Sequence, residues 1–562
     1  MAQFTDPGTS PVTPYEPLQI LAAPQTSNDQ QTIENDHAEA ATPWKTQGWR
    51  FWAVFPGLCL AMLLTGLDAS ILATSLPTIV SDLHGGALYI WTMNGYFLTT
   101  AVVQPLMGQA ADIFGRRIPM LVALSLFTLG SGLCGGSTSL PMLIAARLIQ
   151  GFGGGGLFVM TDTIIADLTP LRDRMKYVSM VMIFFTLGSF LGPIIGGAIV
   201  DNTTWRWVFY INLPICAAAL PLVFLFLRVN HKREGTIAQR LGRVDYSGNF
   251  ILVCVVCAVV SILIPLTWGG TTYSWKSWHI LLPLLVGISG LVLFDVHQGK
   301  FAREPTMPLR VYSNMSCALG YGITFLHGIV LSWLIYFQIL LEFTPLQSGV
   351  KLLAVVIPLA PAGMAGGIAI AVTGHYKMVI VAGFVLLSIA VGCMTTLDAN
   401  SSTAVWIVIQ VLAGLGGGLS LTATLPAVQA PVPESDVAIA TAAWAFARSF
   451  GAIWGAAIPS AVFNSRFDEL LHLIPEASVR DLLAHGGAYE HAIRVFIKQF
   501  DSQPVLKEEI IHVYTEALKR VWTVLIPFAV VPIGLALFMK EVELRQELKT
   551  DFGLKETPQA QG

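Results

Sequence analysis

The chain has 562 residues, of which 54% are apolar and only 12% charged, and its mean hydropathy is +0.65. So few charges cannot cover several soluble cores. Lys and Arg number 32 against 35 Asp and Glu, a net charge of −3 with no basic surplus to neutralise phosphates. A nucleic-acid binder, a disordered chain and a disulfide-rich secreted domain are therefore excluded, and a polytopic membrane protein remains.

Residues 1–48 are rich in Pro, Thr, Gln, Asp and Glu and read as a disordered cytoplasmic tail with no cleavable signal. A membrane-crossing helix needs about 20 mainly apolar residues. Fourteen stretches qualify, at 51–76, 89–110, 118–137, 140–166, 177–200, 206–227, 246–266, 279–297, 314–340, 350–372, 378–397, 403–427, 437–463 and 521–540. Lys and Arg concentrate in alternate loops, as in Arg116-Arg117, Arg172–Lys176, Arg228–Arg243, Lys300–Arg310 and Lys377, while the short loops between hold only Arg206, Lys276 and Lys351, the long segment 464–520 escaping the rule by its length. That bias makes the basic loops cytoplasmic, and an even count puts both termini inside.

The expected organisation is a six-helix bundle at 49–227, a basic cytoplasmic loop at 228–245 and two inserted helices at 246–298. A cytoplasmic loop at 299–313, a second six-helix bundle at 314–540 and a cytoplasmic tail at 541–562 complete it. Within the second bundle, 464–520 is expected as a long extracellular loop of amphipathic helices lying on the outer face (Phe467, Leu470, Leu471, Leu473; Ile510, Ile511, Val513, Ala517). The short loops carrying Asn202-Thr-Thr and Asn400-Ser-Ser fit a glycosylation pattern, but lie too close to the membrane to favour it.

A faint duplication relates the bundles. RLIQGFGGGG at 147–156 matches QVLAGLGGGL at 410–419, an offset of 263. Gly108 and Gly115 fall on Gly367 and Gly374, and Gly192-x-x-x-Gly196 on Gly451-x-x-x-Gly455, both at an offset of 259. Two related six-helix halves are the plan of a rocking carrier with its site at the midplane.

Four motifs carry chemistry. Span 1 holds Leu67-Asp68-Ala-Ser70-Ile71 and ends at Leu76-Pro77. The loop after span 2 reads Gly108-x-x-x-Asp112-x-x-Gly115-Arg116-Arg117, its glycines suited to a tight turn and its Asp112 placed to meet an Arg. Span 4 holds Arg147-Leu-Ile-Gln150-Gly151; a guanidinium there costs about 2.5–3.5 kcal/mol on insertion scales and needs a partner or a wet cavity. The following run Gly153–Gly156 fits a dinucleotide pattern but has no preceding strand, so it reads as helix packing. Span 5 reads Gly188-x-x-x-Gly192-Pro193-x-x-Gly196-Gly197, a small-residue face with a bend.

These motifs resemble the major facilitator superfamily: the span 2 loop its cytoplasmic signature, the span 4 segment its R-x-x-Q-G pattern, and the span 5 segment its antiporter signature. The span 1 motif, Trp205-Arg206-Trp207 with Asn212-Leu-Pro214, and Asp245-Tyr-Ser-Gly248 are similar to the fourteen-span drug:proton antiporters, the fungal toxin and multidrug efflux type. Pro433-Glu434-Ser435 matches part of a sugar-porter signature, but its Arg and second Pro are missing. The resemblance implies an all-α major facilitator fold, two six-helix bundles plus two inserted helices. It further implies a proton-coupled exporter of hydrophobic small molecules, not an enzyme, in the plasma membrane or an internal one. A latch of Gly108, Asp112, Gly115, Arg116, Arg117 and Asp167 would hold the halves together. The second-half copy, with Ala371 for the Asp and His375 for the first Arg, should latch weakly.

The spans hold few ionisable groups: Asp68, Arg147, Asp162, His327 and Arg448. Asp68 and Arg147 fall in the same half of the membrane by their distances along their helices, so a proton-sensitive ion pair is expected. Asp162 and Asp167 lie near the inner end of span 4 and are expected to bind Arg116 or Arg117. Candidates to line a cavity for bulky amphipathic molecules are Asn94, Gln104, Gln150, Phe184, Phe185, His327, Tyr336, Gln338, Trp444 and Arg448. No cofactor, metal, nucleic acid or obligate protein partner is expected; Cys254-x-x-Cys257 has no second pair near it. The expected partners are substrate, protons and the bilayer. The alternative is an importer, such as a siderophore-type carrier, which the span 5 pattern weighs against.

Overall fold

The computed structural model describes residues 48–83, 90–227, 276–300, 309–312, 314–334, 345–398, 401–484 and 494–545, with scattered residues between 247 and 254 and Ala488. The N-terminal tail to residue 47, nearly all of the seventh predicted span, Tyr336, Gln338 and Asn400 lie outside them.

From Arg50 on, the chain forms one unit, and its long elements are helices. In chain order they are α1 (Trp49–Asp82), α2 (Ile90–Phe114), α3 (Arg117–Gly135), α4 (Leu140–Leu168), α5 (Leu171–Asn202) and α6 (Asn212–Phe226). Then come α7 (Trp278–Lys300), α8 (Met315–Leu334), α9 (Pro345–Thr373), α10 (Tyr376–Met394), α11 (Thr403–Gln429), α12 (Val437–Leu470) and α13 (Pro504–Phe538).

Among the described residues ten helices are long and apolar enough to cross a membrane, short of the expected fourteen. Trp278–Gly290 and Met315–Leu331 are shorter apolar stretches, and α2 does not reach the same standard. Its sequence interleaves Asn94, Thr99, Thr100, Gln104 and Gln109 with apolar residues, which suits a helix facing protein rather than lipid. Elsewhere Ile118, Leu129, Leu285, Val292, Val408 and Phe538 stand exposed on the outside, as expected where the solvent is hydrocarbon.

The duplication is visible in the packing. α4 packs on α2 and α3, as α11 packs on α9 and α10. Between the halves, α2 meets α12 and α9 meets α5, each contact the image of the other. Gly108 and Gly367 sit at these two crossings: an added methyl at Gly108 would run into Ala442 of α12, and one at Gly367 would lie 2.8 Å from the Met175 carbonyl of α5. Gly115 and Gly374 have φ of 80° and 78°, so both halves make the same left-handed turn after the equivalent helix.

The span 5 glycines sit differently from the sequence register. Gly188 lies against the Leu63 carbonyl of α1 and Gly192 against Ser70, while Gly451 lies against the Phe325 carbonyl of α8. The structural counterpart of Gly188 is thus Gly451, the 263 offset of α4 and α11, and not the 259 offset of the turn glycines. The two offsets differ by four residues, about one helical turn, so they keep the same face and sequence spacing alone could not separate them.

Residues 464–520 are not one loop. α12 runs on to Leu470 and α13 already begins at Pro504, with short helices Ala477–Leu483 and Arg494–Lys498 between them. At 34 and 35 residues the two helices are each roughly 50 Å long, more than a bilayer core needs. Their projecting ends pack on each other: the Phe467 and Tyr514 rings lie 4.8 Å apart and Tyr514 donates to the Ala488 carbonyl at 2.7 Å. Val479 and Leu483 are buried in the same cluster, so the apolar stripe read from the sequence faces protein.

A Gly188→Ala substitution should force α1 and α5 apart, since the added methyl meets backbone. We expect a loss of about 1–3 kcal/mol, read as a lower Tm of the purified protein in detergent.

Candidate functional site

The first charged cluster lies wholly within the first half. α1 presents Asp68 and α4 presents Arg147, which donates to Asp68 Oδ2 at 2.6 Å. Gln150, one turn on from Arg147, donates to Asp68 Oδ1 at 2.7 Å and to Ser131 Oγ of α3 at 2.9 Å. Asn212 of α6 reaches Asp68 Oδ1 and Ser131 Oγ, both at 3.4 Å. Arg147 also donates to the Gln150 amide oxygen at 2.7 Å and to the Thr92 carbonyl of α2 at 3.2 Å, and its guanidinium lies 4.2 Å from the Tyr96 ring centroid. Asp68, Gln150 and Asn212 are all 0% exposed.

Five helices therefore meet in one polar knot. A buried pair repays its desolvation only when the remaining lone pairs and protons are also satisfied, and here both carboxylate oxygens are. Gln150, read from sequence as a cavity residue, belongs to this knot, because three residues along a helix put it on the face of Arg147.

The second cluster is the loop after α2. Gly115 turns the chain so that Arg116 folds back: it donates to the Ala111 carbonyl at 2.6 Å, to Asp112 at 3.0 Å and to Asp167 of α4 at 2.5 Å. Arg117 points away, donating to the Phe224 carbonyl and lying 4.4 Å from that ring. Asp112, Arg116 and Asp167 thus bind one another within the first half. Asp162 takes no part: its side chain is 0% exposed and neither oxygen has a hydrogen-bond partner.

The polar links between the halves gather at the basic end, on residues to which the sequence assigned no latch role. Arg174 of α5 is fully buried; it donates to Gln429 Oε1 of α11 at 2.7 Å and to Glu434 at 3.4 Å, while holding the Ala166 carbonyl at 2.7 Å. Arg172 donates to the Ala371 and Val372 carbonyls at 2.7 and 2.9 Å, and Ser179 to the Gly363 carbonyl at 3.0 Å.

The segment after α13 straps the same end. Arg545 reaches the Gln429 and Val432 carbonyls and Glu434, and its own carbonyl accepts from the Arg172 amide. In the second-half turn His375 pairs with Glu541 of this segment at 3.1 Å. The position of the missing Asp, Ala371, contributes its carbonyl instead. The only sequence signal for the lock was the run of basic residues at 172–176.

Between the halves lies an aromatic cluster. The Phe185 and Phe158 rings are 6.3 Å apart, edge to face, and Arg448 of α12 sits 4.1 Å from the Phe158 centroid and 4.7 Å from that of Trp444. Trp444 donates to Thr424 at 3.1 Å. His327 is fully buried with Nε2 3.3 Å from the Gly417 carbonyl and Nδ1 unpartnered; the Gln104 amide oxygen is likewise buried without a partner. Of the candidate cavity residues, Phe185, Trp444 and Arg448 are thereby brought together. Phe184 is half-buried against the core, and the Asn94 side chain, Tyr336 and Gln338 lie outside the description.

Residues 58–343 match the Major Facilitator Superfamily. The Efflux pump FUS6 of Gibberella fujikuroi is 43% identical over 91% of this chain and 92% of its own. The chain belongs to the major facilitator superfamily. The MFS efflux transporter aclA of Aspergillus oryzae is also 43% identical, over 91% of this chain and 93% of its own length. Among solved structures, the human organic anion transporter MFSD10 (TETRAN) aligns with a TM-score of 0.55 over 86% of this chain and 99% of its own; at 15% identity that likeness concerns the fold. The superfamily consists of transporters, and the chain is not an enzyme.

Two outcomes follow from the geometry. Arg147→Ala leaves the Asp68 carboxylate buried without its cation and should cost about 3–5 kcal/mol, seen as a lower Tm in detergent or a failure to accumulate. Arg174→Ala should loosen the basic end: in a cysteine-free background carrying Ser179→Cys, thiol labelling should speed up several-fold, and an unchanged rate would show that the lock does not hold the halves.

Proposed function

We propose that this carrier exports small hydrophobic or amphipathic molecules, of the secondary-metabolite or toxin kind, in exchange for protons. The observation that carries this reading is the 43% identity to efflux pumps across nine-tenths of the chain, in a protein whose halves are locked at one end only by groups able to exchange partners. With the basic end cytoplasmic, the structure corresponds to the state closed to the cytoplasm. The fourteen spans are then the ten long helices, α2, α7, α8 and the segment at 246–266, with both termini cytoplasmic and the plasma membrane as the natural location. The rival is import on the same fold, and both the span 5 glycine pattern and the relatives' names favour export.

Asp68 and Arg147 are the proton-responsive pair in this reading. A proton on Asp68 removes the charge that Arg147 answers. Arg147 then rests on the Thr92 carbonyl and the Tyr96 ring, both on α2, and α2 is the helix that meets α12 of the other half. Protonation near one end of the first half can in this way change the crossing between the halves. The driving force suffices: one proton is worth about 2.3 kcal/mol per 100 mV and about 1.4 kcal/mol per pH unit, together enough for a gradient of several hundred-fold in a neutral solute.

The test uses yeast stripped of its own pumps and a panel of amphipathic antifungals and dyes. In inside-out vesicles with an acid lumen, wild type should accumulate compound, whereas release from the lumen would establish import. Asp68→Asn matches the size of Asp68 but replaces one of its two acceptor oxygens with a donor; it should still reach the membrane, yet lose proton-driven accumulation, and full accumulation by this variant would remove Asp68 from the coupling role.

A further inference from the structure

Asp162 is the buried carboxylate that the sequence reading assigned to the latch and that the structure leaves out of it. It sits on α4 about 9 Å from the basic end of the helix, and Arg147 sits roughly 22 Å further along the same rod. Asp167, five residues on from Asp162, points to a different face, which is why one binds Arg116 and the other does not.

What surrounds Asp162 is unusual for a carboxylate. Its side chain is 0% exposed and both oxygens lack hydrogen-bond partners, and the hydroxyls of its neighbours Thr161 and Thr163 are also buried and unpartnered. The cation that acts on it is Arg448, which belongs to the other half. The two do not touch: Arg448 rests on Phe158, one turn before Asp162, and on Trp444.

The other charges on the helices around α4 are engaged or distant. On α2, Asp112 is bound to Arg116. At the start of α3, Arg117 is bound to the Phe224 carbonyl. On α5, Arg172, Asp173, Arg174 and Lys176 lie at the basic end and are paired there, with Asp201 at the opposite end. On α12, Arg466, Asp468 and Glu469 lie beyond the membrane end of the helix. His327 of α8 also feels Arg448 and carries a buried, unpartnered Nδ1.

An ionised carboxylate in such a site, with no donor and no ion pair, is strongly disfavoured, and a neutral carboxyl, though still short of hydrogen bonds, much less so. A guanidinium held on two aromatic faces is stabilised by both rings without a carboxylate in contact. Arg448 rests on its rings and not against Asp162, the arrangement that a protonated Asp162 favours.

We propose that Asp162 is a second proton site of this carrier, set at the interface between the halves, with Arg448 as its counter-charge. Losing the proton gives Asp162 a charge that draws Arg448 off Phe158 and toward α4. The proton would thus control a contact between α4 of one half and α12 of the other, just above the Arg174 lock. This inference rests on the reading of the chain as a proton-coupled carrier, but its test needs neither a substrate nor a direction of flux.

The test is an infrared pH titration of the full-length protein in lipid nanodiscs, following the carbonyl stretch of neutral carboxyl groups. Wild type should show a buried-carboxyl band that is lost as pH rises. Asp162→Asn should lose that band, and Asp68→Asn should retain it. Arg448→Gln, which keeps the carboxyl, should let the band persist to higher pH by roughly one unit or more, because the opposing charge is gone. An Asp162→Asn spectrum identical to wild type, or an Arg448→Gln titration that does not move, would overturn the proposal. If Asp162→Asn does not accumulate, the Arg448→Gln titration decides alone. Failure of vesicle export with these spectra intact would count against the export reading and leave the proton site standing.

Discussion

A charge carried into hydrocarbon must be answered by a partner, a proton or water, and in this chain that constraint decides where the helices can sit. Asp68 and Arg147 answer each other, but a bare pair would not repay its desolvation. The structure adds Gln150, Asn212, Ser131 and a backbone carbonyl, so that α1, α2, α3, α4 and α6 are all fixed by one polar cluster. The first half is tied together because the buried Asp68–Arg147 pair draws groups from five helices. Stiffness within a half is what lets a local event tilt the whole half, since packed helices move as bodies rather than deforming continuously.

The interface between the halves follows the opposite rule. Its hydrogen bonds run mostly from arginines to backbone carbonyls and to single side-chain oxygens, as from Arg172 to Ala371 and Val372 and from Arg174 to Gln429. Such groups find water readily once the gap opens, so parting them costs far less than breaking the Asp68 cluster. The second-half turn has lost its acidic residue, yet Gly374 keeps the backbone shape that presents the Ala371 carbonyl to Arg172. Glu541, in the segment after α13, brings to the second-half turn the carboxylate it lacks. The duplication thus survives in backbone and helix packing, while the side-chain chemistry of the two ends has diverged.

Much of this was legible in the chain. The apolar stretches located the long helices, because lipid imposes a minimum length and few charges. The Gly108–Arg117 turn, and the meeting of Asp68 with Arg147, followed from motif spacing and helical rise. Other features were not legible for physical reasons. The Arg174 lock joins residues some 255 positions apart, and no local period marks such a pair. Asp162 and Asp167 looked alike because they share an end of α4, and only the helical phase separates their faces. α2 is polar enough to miss the hydropathy standard because it lies where protein replaces lipid. The projecting ends of α12 and α13 read as an amphipathic loop because a stripe that packs on protein and one that lies on a membrane have the same period.

The placement of two charged sites on one helix has a further consequence. α4 carries Arg147 toward one end and Asp162 toward the other, and its glycine run from Gly153 to Gly156 lies between them. Those glycines press against backbone and side chains of α2 and α3, with Gly153 against Phe127 and Gly155 against the Thr100 carbonyl, so the rod cannot slide relative to its own half. A change of charge at either site is therefore felt as a torque on the whole first half rather than as a shift of α4 alone. Arg147 of the Asp68 site rests on Thr92 and Tyr96 of α2, whereas Asp162 lies one turn from Phe158, on which Arg448 of α12 rests. A carrier built this way has its strongest internal bonds where it must not move and its sparsest polar pairing where the halves must part.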